Sequence, residues 1–488
     1  MQKSLILIVT IIVLFALTPV KTPAQQFPIA VGPDSSFGAG GAFDGSRFLL
    51  ALLETSALGH NLSFQFITDG GALSGSRVSL GKTGGIPYVQ FDGTNYLMVW
   101  SDQFPLFAGD TNGIGNIYGQ FISPSGTLVG NTFTFATGVN IKFGQGRGAL
   151  LFKDNYYQLI YCKGGNHHDV LYFQKIDKSG TLAGSPVQVS SGYARELSAA
   201  YDGVNYLIAW CDGSGADAVL YGQFISPVGV LSGSNFVIDN SPNKSDNPTA
   251  IAYDDSRYFI VFHDQTADSS SWNIYGRFIT PLGTVFPDRI LIADSTKNPT
   301  APQIATDMHN YLVTWIEFGA NSRIAGRHFN KSGVPLDSPF TICEKQGNKF
   351  PVGGVGSFLN GKYILSATML DSNMNDGDVY GLMLEPFPTG INDNISNTAP
   401  DNYALMQNYP NPFNPSTTIP FNLSSGGKVS LTVYDLLGRT VDVLINNEQM
   451  SAGTHSVKWN AQNRPAGIYF YKLNTGSFSA VKKLVLLK

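Results

Sequence analysis

The chain is poor in cysteine, in charge and in recognisable catalytic signatures. Its three cysteines, Cys162, Cys211 and Cys343, are too few and too scattered for a disulfide framework, and no C-x-x-C pair offers zinc or redox chemistry. They read as small apolar strand residues. Only 14% of the 488 residues are charged against 43% hydrophobic, which excludes a wholly disordered chain. No G-x-S-x-G elbow, H-E-x-x-H pair or sialidase-like Asp box occurs, and the seven histidines are dispersed. Gly81-Lys-Thr83 ends no phosphate loop, because Ser76 stands where that pattern needs glycine.

What charge there is divides unevenly. The formal balance is −4, yet residues 404–488 carry eight bases against three acids, and Lys3 and Lys21 make the leader positive. Residues 25–403 are left at −11. An acidic body lacks the basic patches that displace counterions from a phosphate backbone, which argues against a nucleic-acid partner. The 53 glycines and 26 prolines supply many tight turns and point to an all-β chain.

Residues 1–24 have one base at Lys3, an apolar run from Leu5 to Val20, and the small residues Thr22 and Ala24. This is the pattern of a signal peptide, with cleavage expected between Ala24 and Gln25. The run falls short of the roughly 20 residues that span a bilayer, and no later stretch is long and apolar enough, so the mature chain is expected to have no transmembrane span.

One phrase recurs along the body. Ala200-Tyr-Asp-Gly-Val-Asn-Tyr-Leu-Ile-Ala-Trp210 is echoed at 90–100 and 252–262, with fainter copies ending at Leu52, Tyr161, Trp315 and Ala367. A second phrase follows each copy, as in Tyr118-Gly-Gln-Phe-Ile122, Tyr221-Gly-Gln-Phe-Ile225 and Tyr275-Gly-Arg-Phe-Ile279. Each unit therefore holds four strands, and seven units fill residues 25–390, which predicts a seven-bladed β-propeller. Strands apolar on both faces fit sheets sandwiched between neighbours. The glycine inside the second phrase (Gly119, Gly222, Gly276, Gly326, Gly381) needs a ring packed over it. The seventh unit lacks a fourth strand, and Phe27-Pro-Ile-Ala-Val31 is the strand expected to complete it.

A carboxylate stands two residues after the aromatic that ends the second strand: Glu54, Asp102, Asp212, Asp264 and Glu317. These acids are expected on one rim, at a ring radius of about 11 Å that prevents them from sharing one ion. They can accept backbone hydrogen bonds from adjoining loops, or bind cations or sugar hydroxyls together with Phe104, Phe107 and Trp272. No cofactor is called for. The one calcium-like stretch offers Asp371, Asn373, Asn375, Asp376 and Asp378, but its glycine, Gly377, is one position late and Leu382 replaces the final glutamate.

Residues 391–403 turn polar and read as a linker, and a new domain of short alternating strands occupies residues 404–488, as expected of a small immunoglobulin-like β-sandwich. Its phrases Tyr409-Pro-Asn-Pro-Phe-Asn-Pro, Val433-Tyr-Asp-Leu-Leu-Gly-Arg439, Ala452-Gly-Thr-His455, Pro465-Ala-Gly-Ile-Tyr-Phe-Tyr471 and Lys482-Lys-Leu-Val-Leu-Leu-Lys488 resemble the type A C-terminal sorting domain of type IX secretion cargo. Gly438, Arg439, Gly453, Gly467, Lys482, Lys483 and Lys488 carry the likeness. The propeller phrases are similar to repeats of secreted bacterial proteins. The resemblance implies handling by the type IX machinery, passage through the periplasm, and delivery to the outer cell surface or the medium. The function expected is a binding or adhesion module for extracellular polysaccharide or a surface protein, the alternative being a glycan-degrading enzyme with a propeller catalytic domain.

Overall fold

A computed structural model describes residues 24–387 and 403–486, excluding 32–34, 57–58, 103–113, 140, 143–147, 165–168, 193, 214–217, 241–248, 267–270, 320, 354–355, 360, 372–376, 406–407, 409–412, 414, 452 and 477. Residues 1–23 of the expected leader, most of the expected linker, and the candidate residues Asn373, Asn375, Asp376, Phe104, Phe107 and Lys488 lie outside the described residues. Two compact units divide the chain, Met1–Phe387 and Pro388–Lys488.

The described strands of the first unit form seven antiparallel sheets, six of them built from strands consecutive in sequence. The fourth is typical: Ala194–Tyr201, Tyr206–Asp212, Val219–Ile225 and Leu231–Asp239 pair in that order. The seventh takes its last strand from the start of the chain. Gln25–Ala30 pairs with Gly377–Leu384, setting Phe27 opposite Gly381 and Pro28 opposite Tyr380. The expected completion of the last sheet is observed.

The second strand of each sheet is apolar on both faces because both faces meet another sheet. Tyr206, Ile208 and Trp210 join a core cluster with Ile160, Cys162 and Phe173 of the third sheet, whereas Leu207 and Ala209 pack with Tyr258, Ile260 and Phe262 of the fifth. Seven such clusters lie between successive sheets, and one of them joins the first sheet to the seventh through Phe48, Leu50, Ile29 and Val379. The packing order is cyclic. Burying a large side chain in these seams contributes about 2–3 kcal/mol.

The two recurring phrases meet across each sheet. Trp100 pairs with Tyr118 and Trp210 with Tyr221, with ring centroids 6.0 and 6.1 Å apart. The next residue in the second phrase is the mid-strand glycine, and rings do cover it: Phe135 and Phe133 lie over Gly119, Phe236 over Gly222, and Phe27 over Gly381, each too close for a Cβ. The following glutamine has a separate task. Gln120 Nε2 donates to Phe121 O at 3.1 Å and Val129 O at 3.0 Å, and Gln223 Nε2 repeats this with Phe224 O at 2.9 Å and Ser232 O at 3.0 Å. Each clamps a β-bulge in the fourth strand, where Gly130 (φ 66°) and Gly233 (φ 71°) take left-handed backbone.

The aspartate of the first phrase shapes the turn into the second strand: Asp202 Oδ1 accepts from the N–H groups of Val204 and Asn205, both at 2.7 Å. The tyrosine of the following sheet reaches back to that turn, with Tyr258 Oη donating to Asn205 O at 3.2 Å. Burial, reinforced by the Asp202 charge, holds the Tyr258 hydroxyl above its ordinary range.

The described strands of the second unit form two antiparallel sheets. Ala404–Leu405, Ser416–Leu423 and Gly453–Asn460 form one; Gly427–Tyr434, Thr440–Met450, Gly467–Asn474 and Ser479–Leu486 form the other. They share one core that includes Phe421, Leu431, Trp459, Tyr471 and Leu484.

Candidate functional site

Second strands end, and loops from one sheet to the next pass, on the same side of the first unit. Gly85 N donates to Ser101 O, and Lys345 N to Ser322 O, tying these two loop sets together. All five expected rim carboxylates stand there at the ends of second strands, and most are held by partners from their own sheet. Glu54 pairs with Arg77 at 2.8 Å, and Asp264 with Arg289 at 2.6 Å. Asp102 accepts from Asn116 N at 2.8 Å and from its Nδ2 at 2.6 Å. Glu317 receives Arg323 Nε at 2.7 Å and Nη2 at 3.2 Å, and Trp315 Nε1 at 3.0 Å. A backbone donor of the expected kind is seen at Asp102. Arginine serves at Glu54, Asp264 and Glu317, and at Glu317 the strand register supplies it, since Glu317 and Arg323 are directly opposed.

Asp212 differs from the other four. Its carboxylate packs against Gly192, and burial pushes its pKa above the ordinary aspartate value. Asp264 belongs to a larger ionic group, since Arg289 also lies 3.5 Å from Asp239, a fully buried carboxylate that Arg277 approaches at 3.3 Å. Trp272, expected in a loop, instead begins the strand Trp272–Ile279 and lies beside His263, with ring centroids 4.6 Å apart and planes tilted by 44°.

A polar cleft of 920 Å³ opens beside Glu317. Three segments line it: 295–298 leading into the sixth sheet, Phe318, Gly319, Asn321 and Ser322 within it, and Glu344, Lys345 and Gly347 leaving it. Phe318 is 44% exposed at its edge and is braced edge-on by Phe350, centroids 6.0 Å apart. Arg323 Nη1 donates to Thr341 Oγ1 at 2.8 Å, so its guanidinium is fixed on two sides. Lys297, Asn298, Asn321, Glu344 and Lys345 supply further polar groups. Phe318 and Arg323 were not anticipated. The constant register between the two phrases reaches Arg323, but nothing in the repeat marks Phe318.

Among the described residues no three His, Cys, Asp or Glu side chains gather to hold a metal ion. Of the calcium-like stretch, Asp371 is half-buried, and Asp378 is buried and bonded to Lys349 Nζ.

In the second unit, Gly438 and Arg439 close one turn, with Arg439 Nε 2.7 Å from Asp435 Oδ2. Gly453 and Gly467 begin two strands, and Lys482 and Lys483 lie on the last strand. Residues 407–487 match the family described as the Secretion system C-terminal sorting domain. The chain is a type IX secretion cargo. Its sorting domain marks the cargo for export to the cell surface or the extracellular space. Among the described residues no helix is long and apolar enough to cross a membrane. Gln25, at the expected cleavage point, is exposed and begins the first described strand, while Ala24 packs on the core between the sixth and seventh sheets.

No curated protein matches the cargo in sequence. Solved structures to which it is similar include the phage phi92 endosialidase (10% identity, 88% of this chain and 76% of that one, TM-score 0.47). The polysaccharide lyase Uly1 is similar at 8% identity, over 74% of this chain and 91% of that one, with a TM-score of 0.45. The Pyrococcus horikoshii acylaminoacyl peptidase is similar at 10% identity, over 80% and 59%, with a TM-score of 0.43. At these scores none bears on the activity of the cargo.

Proposed function

We propose that residues 25–390 form a seven-bladed β-propeller which, once exported, acts as a binding module for extracellular polysaccharide at the cleft beside Glu317. The cyclic packing order and the sharing of the last sheet between chain ends support the propeller. The two-sheet tail with a single core supports an immunoglobulin-like sandwich over 404–488, joined by a linker at 391–403. The strand that begins at Gln25 agrees with removal of a signal peptide at 1–24.

The observation that carries the binding role is Phe318, an exposed ring fixed on the same rim as the Glu317–Arg323 fork. An aromatic face covers the C–H face of a pyranose, while a fixed guanidinium and carboxylate exchange hydrogen bonds with its hydroxyls. Variable loops on a rigid ring of sheets suit such recognition. The test is a glycan array with wild-type chain and Phe318→Ala, followed by product analysis of any glycan retained. Retention that falls at least about tenfold in F318A, without cleavage, supports the module. Released product would make it a glycan-degrading enzyme, and equal retention by both chains would remove the cleft from the account.

A further inference from the structure

Two turns far apart in sequence meet at one end of the sorting domain. In the first, Asp435 Oδ1 accepts from the N–H groups of Leu437 and Arg439, both at 2.9 Å, and Gly438 takes φ 76°. The turn is thus shaped by Asp435, Gly438 and Arg439. Leu436 and Leu437 are nevertheless 66% and 77% exposed. The same hydrogen-bonded turn holds Lys and Ser centrally at Asp177–Gly180 and Asn330–Gly333, and a proline followed by a single exposed apolar residue at Ser226–Gly229 (Val228) and Thr280–Gly283 (Leu282), so two adjacent leucines set the turn at Asp435–Gly438 apart from these four. Turn geometry therefore does not call for leucine, and the fold gains little from two apolar side chains left in water.

The second turn, at 464–467, brings Arg464 and Ile468 beside these leucines, and the two turns enclose a cleft of 330 Å³. The Arg439 and Arg464 side chains are 74% and 42% exposed. Each is steadied within the domain, Arg439 by Asp435 and Arg464 by Val441 O at 2.7 Å, yet a guanidinium has five N–H groups and both retain donors for a partner. The domain around them has eight bases against three acids.

We infer that this cleft is the surface by which a protein of the secretion machinery holds the cargo, inserting an apolar side chain against Leu436 and Leu437 between carboxylates that meet Arg439 and Arg464. A concave apolar floor with cations on its walls fits an acidic protein segment better than a flat lipid surface.

The test uses the full chain in cells that contain the machinery. The variant L436S/L437S is expected to lower external protein at least about tenfold, with full-length chain accumulating in the periplasm. L436M/L437M keeps the apolar floor and restores export, and L282S, at a propeller turn where Leu282 is 94% exposed, leaves export unchanged. Wild-type export by L436S/L437S overturns the inference. Thermal unfolding of the purified variants is measured alongside. Should the serine pair unfold early, the single variant L437D decides, since it sets a carboxylate against the partner's own acids at an exposed position. Normal export of L437D overturns the inference as well. Flotation with phosphatidylethanolamine–phosphatidylglycerol vesicles separates the lipid reading: wild-type binding that disappears in L436S/L437S assigns the leucines to the membrane and refutes a protein partner.

Discussion

The ring of Phe27, in the first described strand, covers Gly381, in the last strand of the first unit, and leaves no space for a Cβ. Phe236 and Gly222 have the same relationship within one continuous sheet. Where the glycine is absent the sizes are exchanged: Phe64 faces Val78 in the first sheet, and Phe173 faces Val187 in the third. The join between the two ends of the first unit thus uses the same contact as the continuous sheet that holds Gly222.

That exchange makes Gly381→Ala a sensitive substitution. Alone it is expected to cost about 1–3 kcal/mol through overpacking against Phe27. Adding Phe27→Val in the same chain should recover most of the loss, as valine faces the larger residue in two natural sheets. Urea unfolding of the four chains of the cycle measures the coupling, and simple additivity would contradict the contact.

Tyr258→Phe removes the hydroxyl that links the fifth sheet to the turn of the fourth. A loss of about 1 kcal/mol is expected from the missing hydrogen bond. Equilibrium denaturation reads it directly, and an unchanged midpoint with an unchanged slope would show that the bond contributes nothing.

The rim acids separate by charge environment. Asp264→Asn leaves Arg289 without its nearest carboxylate in a buried group, and should destabilise by up to about 3 kcal/mol. Asp212→Asn should do the reverse at neutral pH. Burial raises the pKa of Asp212 in the folded chain above its unfolded value, so the folded state is penalised as pH rises from the unfolded pKa through the folded one. The stabilisation in D212N is therefore expected at pH 7 and should vanish toward pH 4. Thermal melts at both values check the sign, and a D212N chain that melts earlier at pH 7 would refute it.

Cys343 should be inert in the folded cargo. It is 3% exposed with its Sγ 3.7 Å from Met369 Sδ, and burial, aided by Glu344, pushes its thiol up to about 11. At pH 8 its reaction with a thiol reagent should be slower than in the unfolded chain by on the order of 100-fold. Rapid native labelling at this residue, located by peptide mapping, would contradict the packing.

Much of this architecture is legible in the repeat because its causes are local. A strand apolar on both faces announces two neighbours, a glycine in mid-strand announces a covering ring, and a unit short of one strand announces where Phe27 belongs. The partners of the rim acids are less legible. Glu317 and Arg323 follow from an unbroken register, but Arg77 and Arg289 reach Glu54 and Asp264 from the fourth-strand side of their sheets, where bulges shift the register. The polar cleft is the least legible of all, since three loops from successive sheets supply its walls.

The amino-acid order alone determined strand polarity, the length of each repeat, the orphan first strand and the sorting signal, all of which depend on residues near one another in the chain. Only the tertiary structure decided which charges neutralise one another, where Phe318 comes to rest, and that Leu436 and Ile468 share one cleft. Those outcomes depend on how separate strands and loops are brought together, and no periodicity along the chain encodes the distance between them.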